Sequence, residues 1–382
     1  MTKPWIGILF VGVLAVVSWQ WLALQPSEPA NEPRLLSAPT RETATGSPAA
    51  DAPSVPAVEV VAQNPTIPWE VLFLPDGELL VTERPGTVVL LRAGAELTVP
   101  GVRHVGEGGL LGAALHPEFA DNRLLYLYQT TETDNGLRNR IVRYRLEEET
   151  LTFDRVIITD LPGARYHDGG RLTFGPDGYL YATVGDATDR AAAQDPTSLA
   201  GTIIRLTAEG EIPEDNPFGT AVWSYGHRNP QGLAWDAAGQ LWSTEHGRSV
   251  GGSGLDEVNR IEAGANYGWP DSQGDTVEAG TIGPIRHSGA EVTWAPASAA
   301  VHNNSLYFAG LRGETLYEAV LEDGKIVDWH EHLVGRYGRL RTVTVGPDGF
   351  LYVTTSNRDG RGDTPAPTDD RLLRIDPVQL RQ

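Results

Sequence analysis

The sequence predicts an all-β protein, a six-bladed β-propeller, because one short unit recurs six times with no long helical pattern between the copies. Each copy is a turn rich in Asp, Asn and Gly followed by an alternating strand. The copies are marked by the turn residues Gly77, Asn122, Gly178, Gly239, Asn304 and Gly349. The intervals between these markers are 45, 56, 61, 65 and 45 residues. Periods of this length made of strands are typical of propeller blades of about four strands each.

The predicted propeller runs from residue 57 to residue 377, and its ends indicate how the ring closes. A short strand is predicted at Val58–Val61, before the first unit, and another at Arg371–Ile375, after the sixth. Pairing one terminal strand into the blade of the other would remove the exposed sheet edges. Either terminus can supply the closing strand in this interpretation.

The amino-terminal part of the chain is predicted to export the propeller. Residues 1–25 combine a positive Lys3 with an uncharged stretch from Trp5 to Leu24, close to the ~20 residues that span a bilayer. We expect an uncleaved signal anchor, because the apolar stretch is long and lacks an A-x-A cleavage site; a cleaved signal peptide is the alternative. Residues 26–56 are rich in Pro and Ala and predict a disordered linker. The body would then be periplasmic, tethered to the inner membrane or secreted.

Composition excludes some functions. The 382 residues include 50 Asp and Glu against 30 Lys and Arg, a formal net charge of −20. This balance argues against nucleic acid as a partner, because a phosphate backbone favours clustered Lys and Arg. The chain has no cysteine, so it can form neither a disulfide nor a cysteine-based metal site.

A predicted hairpin within residues 164–188 places two ionisable side chains near each other. Pro176–Gly178 is a tight-turn signal, because glycine takes a positive φ at little cost and aspartate tolerates turn geometry. His167 lies just before the first strand of this hairpin and Asp186 just after the second. We therefore expect the two side chains to meet at one rim. A carboxylate that orients an imidazole is typical of a general base.

Polar, glycine-rich loops of different repeats carry four arginines, which we interpret as one cationic site. They are Arg228, Arg312, Arg339 and Arg341. Loops on a rigid scaffold commonly carry function. Because guanidinium binds carboxylates bidentately, arginines that converge favour a planar polyanion as ligand. The alternative is a set of separate surface salt bridges, each of which contributes little.

The loop from Gly247 to Glu257 is a candidate metal site. Backbone carbonyls of a glycine-rich loop and a carboxylate are hard oxygen ligands, which suit calcium. The spacing is not that of an EF-hand, and a flexible loop without a ligand is the alternative. The histidines other than His167 show no metal-ligand spacing.

Six motifs, in order, cover most of the body. They are PWEVLFLPDGELLVTERPG, GEGGLLGAALHPEF, HDGGRLTFGPDGYLYATVGD, YGHRNPQGLAWD, the segment DEVNRI to NYGWP, and RLRTVTVGPDGFLYV. With these motifs the chain, from about Val58 to Pro377, resembles the soluble pyrroloquinoline quinone (PQQ)-dependent aldose sugar dehydrogenases of the glucose/sorbosone dehydrogenase family. The fold of that family, a six-bladed propeller, agrees with the repeat count.

The resemblance implies roles for individual residues. His167 would take the proton from the C1 hydroxyl of the sugar, and Asp186 would support His167. The residues expected at PQQ are Glu107, Arg228, Asn229, Arg312, Arg339 and Arg341. The carbonyls of Gly247 and Arg248 would hold the calcium bound to PQQ, and Glu257 with the carbonyl of Tyr267 would hold a second, structural calcium.

Two positions depart from the family. Glu107 stands where some members have Gln, so its carboxylate would face an electron-rich cofactor or need a proton. Arg312 stands where Lys is common, and its longer, more rigid side chain would change the cofactor geometry.

The function that the resemblance implies is oxidation of aldose sugars to lactones. Hydride would leave C1 for PQQ, calcium would act as a Lewis acid, and an external acceptor would take the electrons. A six-bladed metal-dependent lactonase is one alternative, although it gives no reason for several arginines at one rim. A non-enzymatic exported propeller that acts as a binding module is another.

Overall fold

The structure, a computed structural model, describes residues 57–249 and 254–381. The predicted signal anchor or signal peptide at 1–25 and the predicted linker at 26–56 lie outside the described residues. Among the helices of the described part, none has the length and apolar character needed to cross a membrane.

The described residues form six four-stranded antiparallel sheets, which confirms the predicted all-β six-bladed propeller. The first strand of the described residues, β1 (Val58–Gln63), belongs to the last blade. Blade 1 contains β2 (Pro68–Phe73), β3 (Leu79–Glu83), β4 (Thr87–Leu90) and β5 (Ala95–Thr98). Blade 2 contains β6 (Leu110–Leu115), β7 (Leu124–Thr133), β8 (Gly136–Glu147) and β9 (Thr150–Pro162). Blade 3 contains β10 (Leu172–Phe174), β11 (Leu180–Val184), β12 (Thr202–Leu206) and β13 (Val222–Tyr225).

The second half of the ring repeats this order. Blade 4 contains β14 (Pro230–Trp235), β15 (Leu241–Glu245), β16 (Glu257–Ile261) and β17 (Arg286–His287). Blade 5 contains β18 (Pro296–His302), β19 (Ser305–Gly310), β20 (Leu316–Glu322) and β21 (Lys325–His332). Blade 6 contains β22 (Leu340–Val345), β23 (Leu351–Thr355), β24 (Arg371–Ile375) and β1. Helical structure in the described part is limited to α1 (Phe119–Asn122) and two 3₁₀ turns, Ala192–Gln194 and Gln379–Arg381.

The amino-terminal strand closes the ring. β1 pairs with β24, with Val58 opposite Ile375 and Gln63 opposite Arg371, so it forms the outermost strand of blade 6. The first strands of blades 6 and 1, β22 and β2, are in contact. Because strands from both ends of the propeller segment share blade 6, this pairing closes the ring between blades 6 and 1.

The six predicted repeat units occupy equivalent places. In every blade the turn marker lies between the first and second strands. Gly77, Gly178, Gly239 and Gly349 have φ values of 77° to 82°, a region in which glycine has no steric penalty. Because strands alternate in direction, these turns share one end of the propeller, and the loops after the second and fourth strands share the other end.

Polar bonds and apolar clusters join neighbouring blades. One hydrogen bond at each junction is as follows: Thr82 Oγ1 to Leu111 O, 2.6 Å; Gly112 N to Gly170 O, 3.0 Å; Arg171 Nε to Gln231 O, 2.9 Å; Thr244 Oγ1 to Ala297 O, 2.9 Å; Ser298 Oγ to Val343 O, 3.0 Å; Thr342 Oγ1 to Trp69 O, 2.5 Å. Six apolar clusters of buried residues also lie at the blade junctions. The core is therefore a ring of apolar layers, which holds the loops at each end in fixed relative positions.

Candidate active site

His167 and Asp186 meet at the end of the β10–β11 hairpin. His167 Nδ1 lies 2.6 Å from Asp186 Oδ1. Asp186 also accepts hydrogen bonds from the Thr188 N–H (2.7 Å) and the Trp269 indole N–H (2.8 Å). Since a carboxylate only accepts, Nδ1 of His167 carries the proton and Nε2 is the free ring nitrogen. Burial would raise the pKa of Asp186, but the hydrogen bonds from His167, Thr188 and Trp269 lower it, so Asp186 stays ionised.

His167 opens onto a cavity of about 550 Å³ at the end formed by the loops after the second and fourth strands. The side chain of His167 is 14% exposed, whereas that of Asp186 is fully buried. Of the residues predicted to form the site, those lining the cavity are Glu107, His167, Arg228, Asn229, Gly247, Arg248, Arg312 and Arg339. These residues come from loops of five blades, as the sequence predicted for a site at one end of the channel.

Two of the predicted arginines are buried at the cavity wall. Arg228 donates from Nη2 to Ser249 Oγ at 2.8 Å, and its buried Nε has no hydrogen-bond partner in the part of the chain that the structure describes. Arg339 pairs with Asp359, with 2.8 Å between Nη2 and Oδ2. Both arginines are less than 9% exposed, so the alternative of separate surface salt bridges is wrong for them. Arg312 lines the cavity from an exposed position.

Arg341 lies deeper than the cavity lining. It belongs to the innermost strand β22, whereas Arg339 precedes that strand and reaches the loop end. Its guanidinium donates to Gln231 Oε1 and to Ser356 Oγ, each at 3.4 Å. Burial, with nearby Arg84, lowers the pKa of Arg341 to about 9. Arg341 therefore lies behind Arg339, which lines the cavity, and its expected contact with PQQ stays a prediction.

Glu107 is ionised and bonded within the protein. Its Oε1 pairs with Arg361 Nη1 at 2.8 Å, and its Oε2 accepts from the His167 N–H at 2.8 Å and from Asn229 Nδ2 at 3.3 Å. Burial would raise the pKa of Glu107, but the charge of Arg361 and the His167 hydrogen bond outweigh it and lower the pKa to about 2. The carboxylate therefore needs no proton, which argues against the second of the two outcomes expected from the sequence.

The first predicted calcium ligands, Gly247 and Arg248, lie at the cavity wall. Asp256 anchors their loop, because its Oδ1 accepts from the Gly247 N–H at 2.8 Å and its Oδ2 from the Trp294 N–H at 2.6 Å. Residues 250–253 of this predicted loop lie outside the described residues. The two backbone carbonyls remain candidate ligands, next to the point where Asp256 holds the Gly247 N–H.

The second predicted calcium ligands, Glu257 and Tyr267, line a small neighbouring cleft together with Glu245. Burial and the charge of Glu245 raise the pKa of Glu257 to about 8. Two buried carboxylates that repel each other suit a cation between them. Across the described residues, no group of three His, Cys, Asp or Glu side chains is placed to hold a metal, so carbonyl oxygens would have to complete either site.

Three functional side chains escaped the sequence interpretation. Arg361 and Asp359 lie on the loop between β23 and β24, and Trp269 donates to Asp186. The segment SNRDGRGD, residues 356–363, carries alternating charges in a glycine-containing loop, which is the signal that was available. No sequence feature connects Trp269 with Asp186, because the two are 83 residues apart.

Fold and site together define a propeller enzyme with a histidine–carboxylate pair facing an arginine-lined cavity. The chain belongs to the glucose/sorbosone dehydrogenase family, whose pattern matches residues 65–373. This assignment confirms the resemblance and makes the protein an oxidoreductase.

Relatives and solved structures agree with this family. The chain is 35% identical over 355 residues to an aldose sugar dehydrogenase of Escherichia coli (strain K12), covering 81% of this chain and 92% of the relative. It is 34% identical over 262 residues to quinoprotein glucose dehydrogenase B of Acinetobacter calcoaceticus, covering 58% and 54%. The structure is similar to the PQQ-bound aldose sugar dehydrogenase of Streptomyces coelicolor, with a TM-score of 0.76 and 41% identity, covering 84% of this chain and 99% of that chain.

Proposed function

We propose that the protein oxidises aldose sugars at the C1 hydroxyl to the lactone, with PQQ and calcium as cofactors and an external acceptor for the electrons. The observation that carries the proposal is the His167–Asp186 pair, which opens onto a cavity walled by Arg228, Arg312 and Arg339. Family membership and the PQQ-bound relative support the cofactor. A lactonase does not need the arginines.

The chemistry of the cavity fits PQQ. A flat tricarboxylate needs cationic donors, and arginines supply paired N–H groups in a plane. Among the described residues, the buried Nε of Arg228 has no hydrogen-bond partner, so it can donate to a ligand. The volume of about 550 Å³ lies within the range of small-molecule sites. Arg228, Arg312 and Arg339 would hold the carboxylates, and Asn229 would contact the ring system.

His167 and the residues bonded to Asp186 are arranged for transfer of the hydroxyl proton. Asp186 holds the Nδ1–H of His167, so that Nε2 can take the proton of the C1 hydroxyl. Trp269 and Thr188 fix Asp186 from two sides, which keeps the imidazole in one orientation. When bound, PQQ supplies the two-electron oxidant that accepts the hydride from C1.

The metal-site residues fit calcium in two places. The carbonyls of Gly247 and Arg248 would hold a calcium at the cofactor, where a Lewis acid favours reduction of the quinone. Glu257 and the carbonyl of Tyr267 would hold a structural calcium, whose charge would stabilise the buried Glu245 and Glu257 carboxylates.

We also propose that residues 1–25 export the propeller to the periplasm, where it is tethered to the inner membrane or released, with residues 26–56 as linker. The hydrophobic stretch and Lys3 support this placement. Cell fractionation of the full chain, with the molecular mass of the mature protein, tests it; intact protein in the cytosol would contradict it.

Reconstitution tests the function. Purified apo-protein is mixed with PQQ and calcium, and dye reduction is followed with glucose and other aldoses. We expect reduction that requires both additions. Lactone hydrolysis without PQQ would favour the lactonase, and neither activity would favour a binding module.

Arg339→Ala sharpens the reconstitution test. We expect this variant to weaken PQQ binding about 10- to 100-fold, the value of a hydrogen-bonded charge, and to change the turnover of saturated enzyme far less. Titration at limiting PQQ measures the loss. Unchanged PQQ uptake would remove Arg339 from the cofactor site. Glu322→Gln, an exposed change at the end of β20, is the control.

A further inference from the structure

The backbone of His167 has an unusual conformation. Its φ is +65°, in the left-handed region that non-glycine residues seldom adopt. Such a conformation costs about 1–3 kcal/mol and persists where surrounding contacts fix it. It sets the direction of the side chain that reaches Asp186 and the cavity, so whatever fixes this backbone also fixes the imidazole.

Glu107 makes the side-chain contact to that backbone. Its Oε2 accepts the His167 N–H at 2.8 Å and Asn229 Nδ2 at 3.3 Å. Asn229 in turn accepts from the Gly169 N–H at 3.0 Å, two residues beyond His167. The carboxylate and the amide therefore hold both sides of the segment that carries the base.

Arg361 holds Glu107 from the other side. Its Nη1 lies 2.8 Å from Glu107 Oε1, and its guanidinium lies 5.4 Å from the centre of the Tyr166 ring. Asp359 Oδ1 accepts the Arg361 N–H at 3.0 Å, so the loop between β23 and β24 is fixed as well. The pair Glu107–Arg361 thus joins blade 6 to the loop before blade 2 at the mouth.

The surrounding charges keep Glu107 an acceptor. Besides Arg361, the ionisable groups close enough to interact with it electrostatically are Arg84, Arg228, Arg341, His246 and Asp168. Arginines dominate this set, and they favour the ionised carboxylate. Both oxygens of Glu107 are already bonded within the protein, whereas Arg228 Nε has no hydrogen-bond partner among the described residues.

We propose that Glu107 is a positioning residue: it fixes the backbone of His167 so that the imidazole faces the sugar, and Arg361 holds the Glu107 carboxylate in place. This role replaces the cofactor contact that the family resemblance implied for Glu107. It rests on the proposed function, because the base is needed only if a sugar hydroxyl is oxidised.

Substitutions at Glu107 separate the two roles. Glu107→Ala removes the acceptor, and we expect kcat to fall about 100-fold, the cost of a misplaced reacting group. The sugar KM and the PQQ Kd stay nearly unchanged, the pattern of an interaction needed only in the transition state. Glu107→Gln keeps an acceptor oxygen and loses less than about tenfold, the value of one weakened hydrogen bond.

Substitutions at Arg361 test the second half of the pair. Arg361→Met is expected to lower kcat about threefold, the scale of a half-exposed ion pair, and Arg361→Lys to restore it. Arg165→Met is the control, because Arg165 contacts the same Tyr166 ring and its side chain makes no bond to Glu107. We expect the control to match the wild type.

A readout on the cofactor-free protein separates this proposal from the proposed function. Hydrogen exchange of the His167 amide should speed up at least about tenfold in Glu107→Ala. The ¹⁵N signals of the imidazole are expected to show protonation at Nδ1 in the wild type, and they should broaden or shift in Glu107→Ala. If the wild type reduces no dye, the function fails, while these two measurements still decide whether Glu107 fixes His167.

Three results would overturn the positioning role. One is full kcat in Glu107→Ala. Another is a loss of PQQ affinity as large as the loss of turnover. The third is an equal loss of kcat in Glu107→Gln and Glu107→Ala, which would mean that the charge of Glu107 matters rather than its acceptor oxygen. If Glu107→Ala fails to fold, kcat and PQQ affinity are compared in Glu107→Gln and Arg361→Met instead. A loss of PQQ affinity as large as the loss of kcat in either variant would then overturn the positioning role.

Discussion

Two histidine–carboxylate pairs in this propeller have nearly the same geometry and opposite surroundings. His167 lies 2.6 Å from Asp186, and His227 Nδ1 lies 2.8 Å from Glu245 Oε2. His227 also has a serine at its other nitrogen, with 2.9 Å between Nε2 and Ser224 Oγ. The second group therefore has the residue types of a nucleophilic triad.

Access separates the two pairs. The His227 side chain is fully buried and stacks on Tyr267, with 4.6 Å between ring centres. The His167 side chain faces the arginine-lined cavity. A substrate can reach Nε2 of His167, whereas Nε2 of His227 is occupied by Ser224. A histidine beside a carboxylate therefore indicates chemistry only when its other nitrogen opens onto space for a reactant.

The largest effect is expected from substituting His167, the histidine that faces the cavity. His167→Ala should lower kcat about 100- to 10,000-fold, the range for a lost general base, while PQQ still binds. Steady-state kinetics and PQQ titration measure the two effects. His330→Ala is the control, because His330 pairs with Asp328 at 3.2 Å outside the cavity. Retained turnover in His167→Ala would remove His167 from the base role.

The next test substitutes His227, the histidine that is fully buried. His227→Leu leaves Ser224 Oγ and the Oε2 atom of the buried Glu245 without their partner, while Glu245 Oε1 still accepts from the Arg228 N–H. We therefore expect the free energy of unfolding to fall by about 3 kcal/mol. The kcat per folded molecule should change only a few-fold. Chemical denaturation and active-site titration measure these quantities. A loss of kcat as large as that of His167→Ala, with unchanged stability, would mean that His227 acts in catalysis rather than in folding.

The sequence predicted local features well. The repeat turns identified six blades, because a turn and the strand after it depend on neighbouring residues. The meeting of His167 with Asp186 could be predicted since both flank one hairpin. The contact between Glu107 and Arg361 could not, because it joins two loops 254 residues apart.

The position of a side chain relative to the cavity, and the pairing of the terminal strands, were harder to predict than the number of blades. Arg339 and Arg341 differ by two positions, yet one precedes β22 and the other lies within it, so only Arg339 lines the cavity. The sequence left open which terminus closes the ring, since both terminal strands are short. The pairing of β1 with β24 decides it, because the amino-terminal strand covers the outer edge of blade 6.

A third histidine–carboxylate pair gives the smallest expected effect, on stability alone. The buried Glu318 on β20 accepts from His332 Nε2 at 2.8 Å and from the Tyr307 hydroxyl at 2.8 Å, and it pairs with Arg381. Burial would raise the pKa of Glu318, but the hydrogen bonds from His332 and Arg381 outweigh it and bring the pKa well below its ordinary value. Glu318 therefore stabilises the folded protein while it is ionised.

The sign of the pH dependence follows from this lowered pKa. In the unfolded chain Glu318 has the ordinary glutamate pKa of about 4.3, so it takes up a proton near that pH, whereas in the folded protein it is still ionised there. The stabilisation is thus complete above that pH and is lost as the pH falls further. Glu318→Gln should lower the free energy of unfolding by roughly 2 kcal/mol at pH 7, with unchanged kcat.

Denaturation of wild type and Glu318→Gln between pH 7 and about pH 3 checks this, because the gap between them should narrow as the lower pH is approached. Glu322→Gln, which removes an exposed charge from the same strand, should show no such narrowing. A gap that stays constant would mean that the size and shape of Glu318 matter rather than its ionisation. This pair would then resemble the closed His227 group, whose expected contribution is packing and hydrogen bonding without titration.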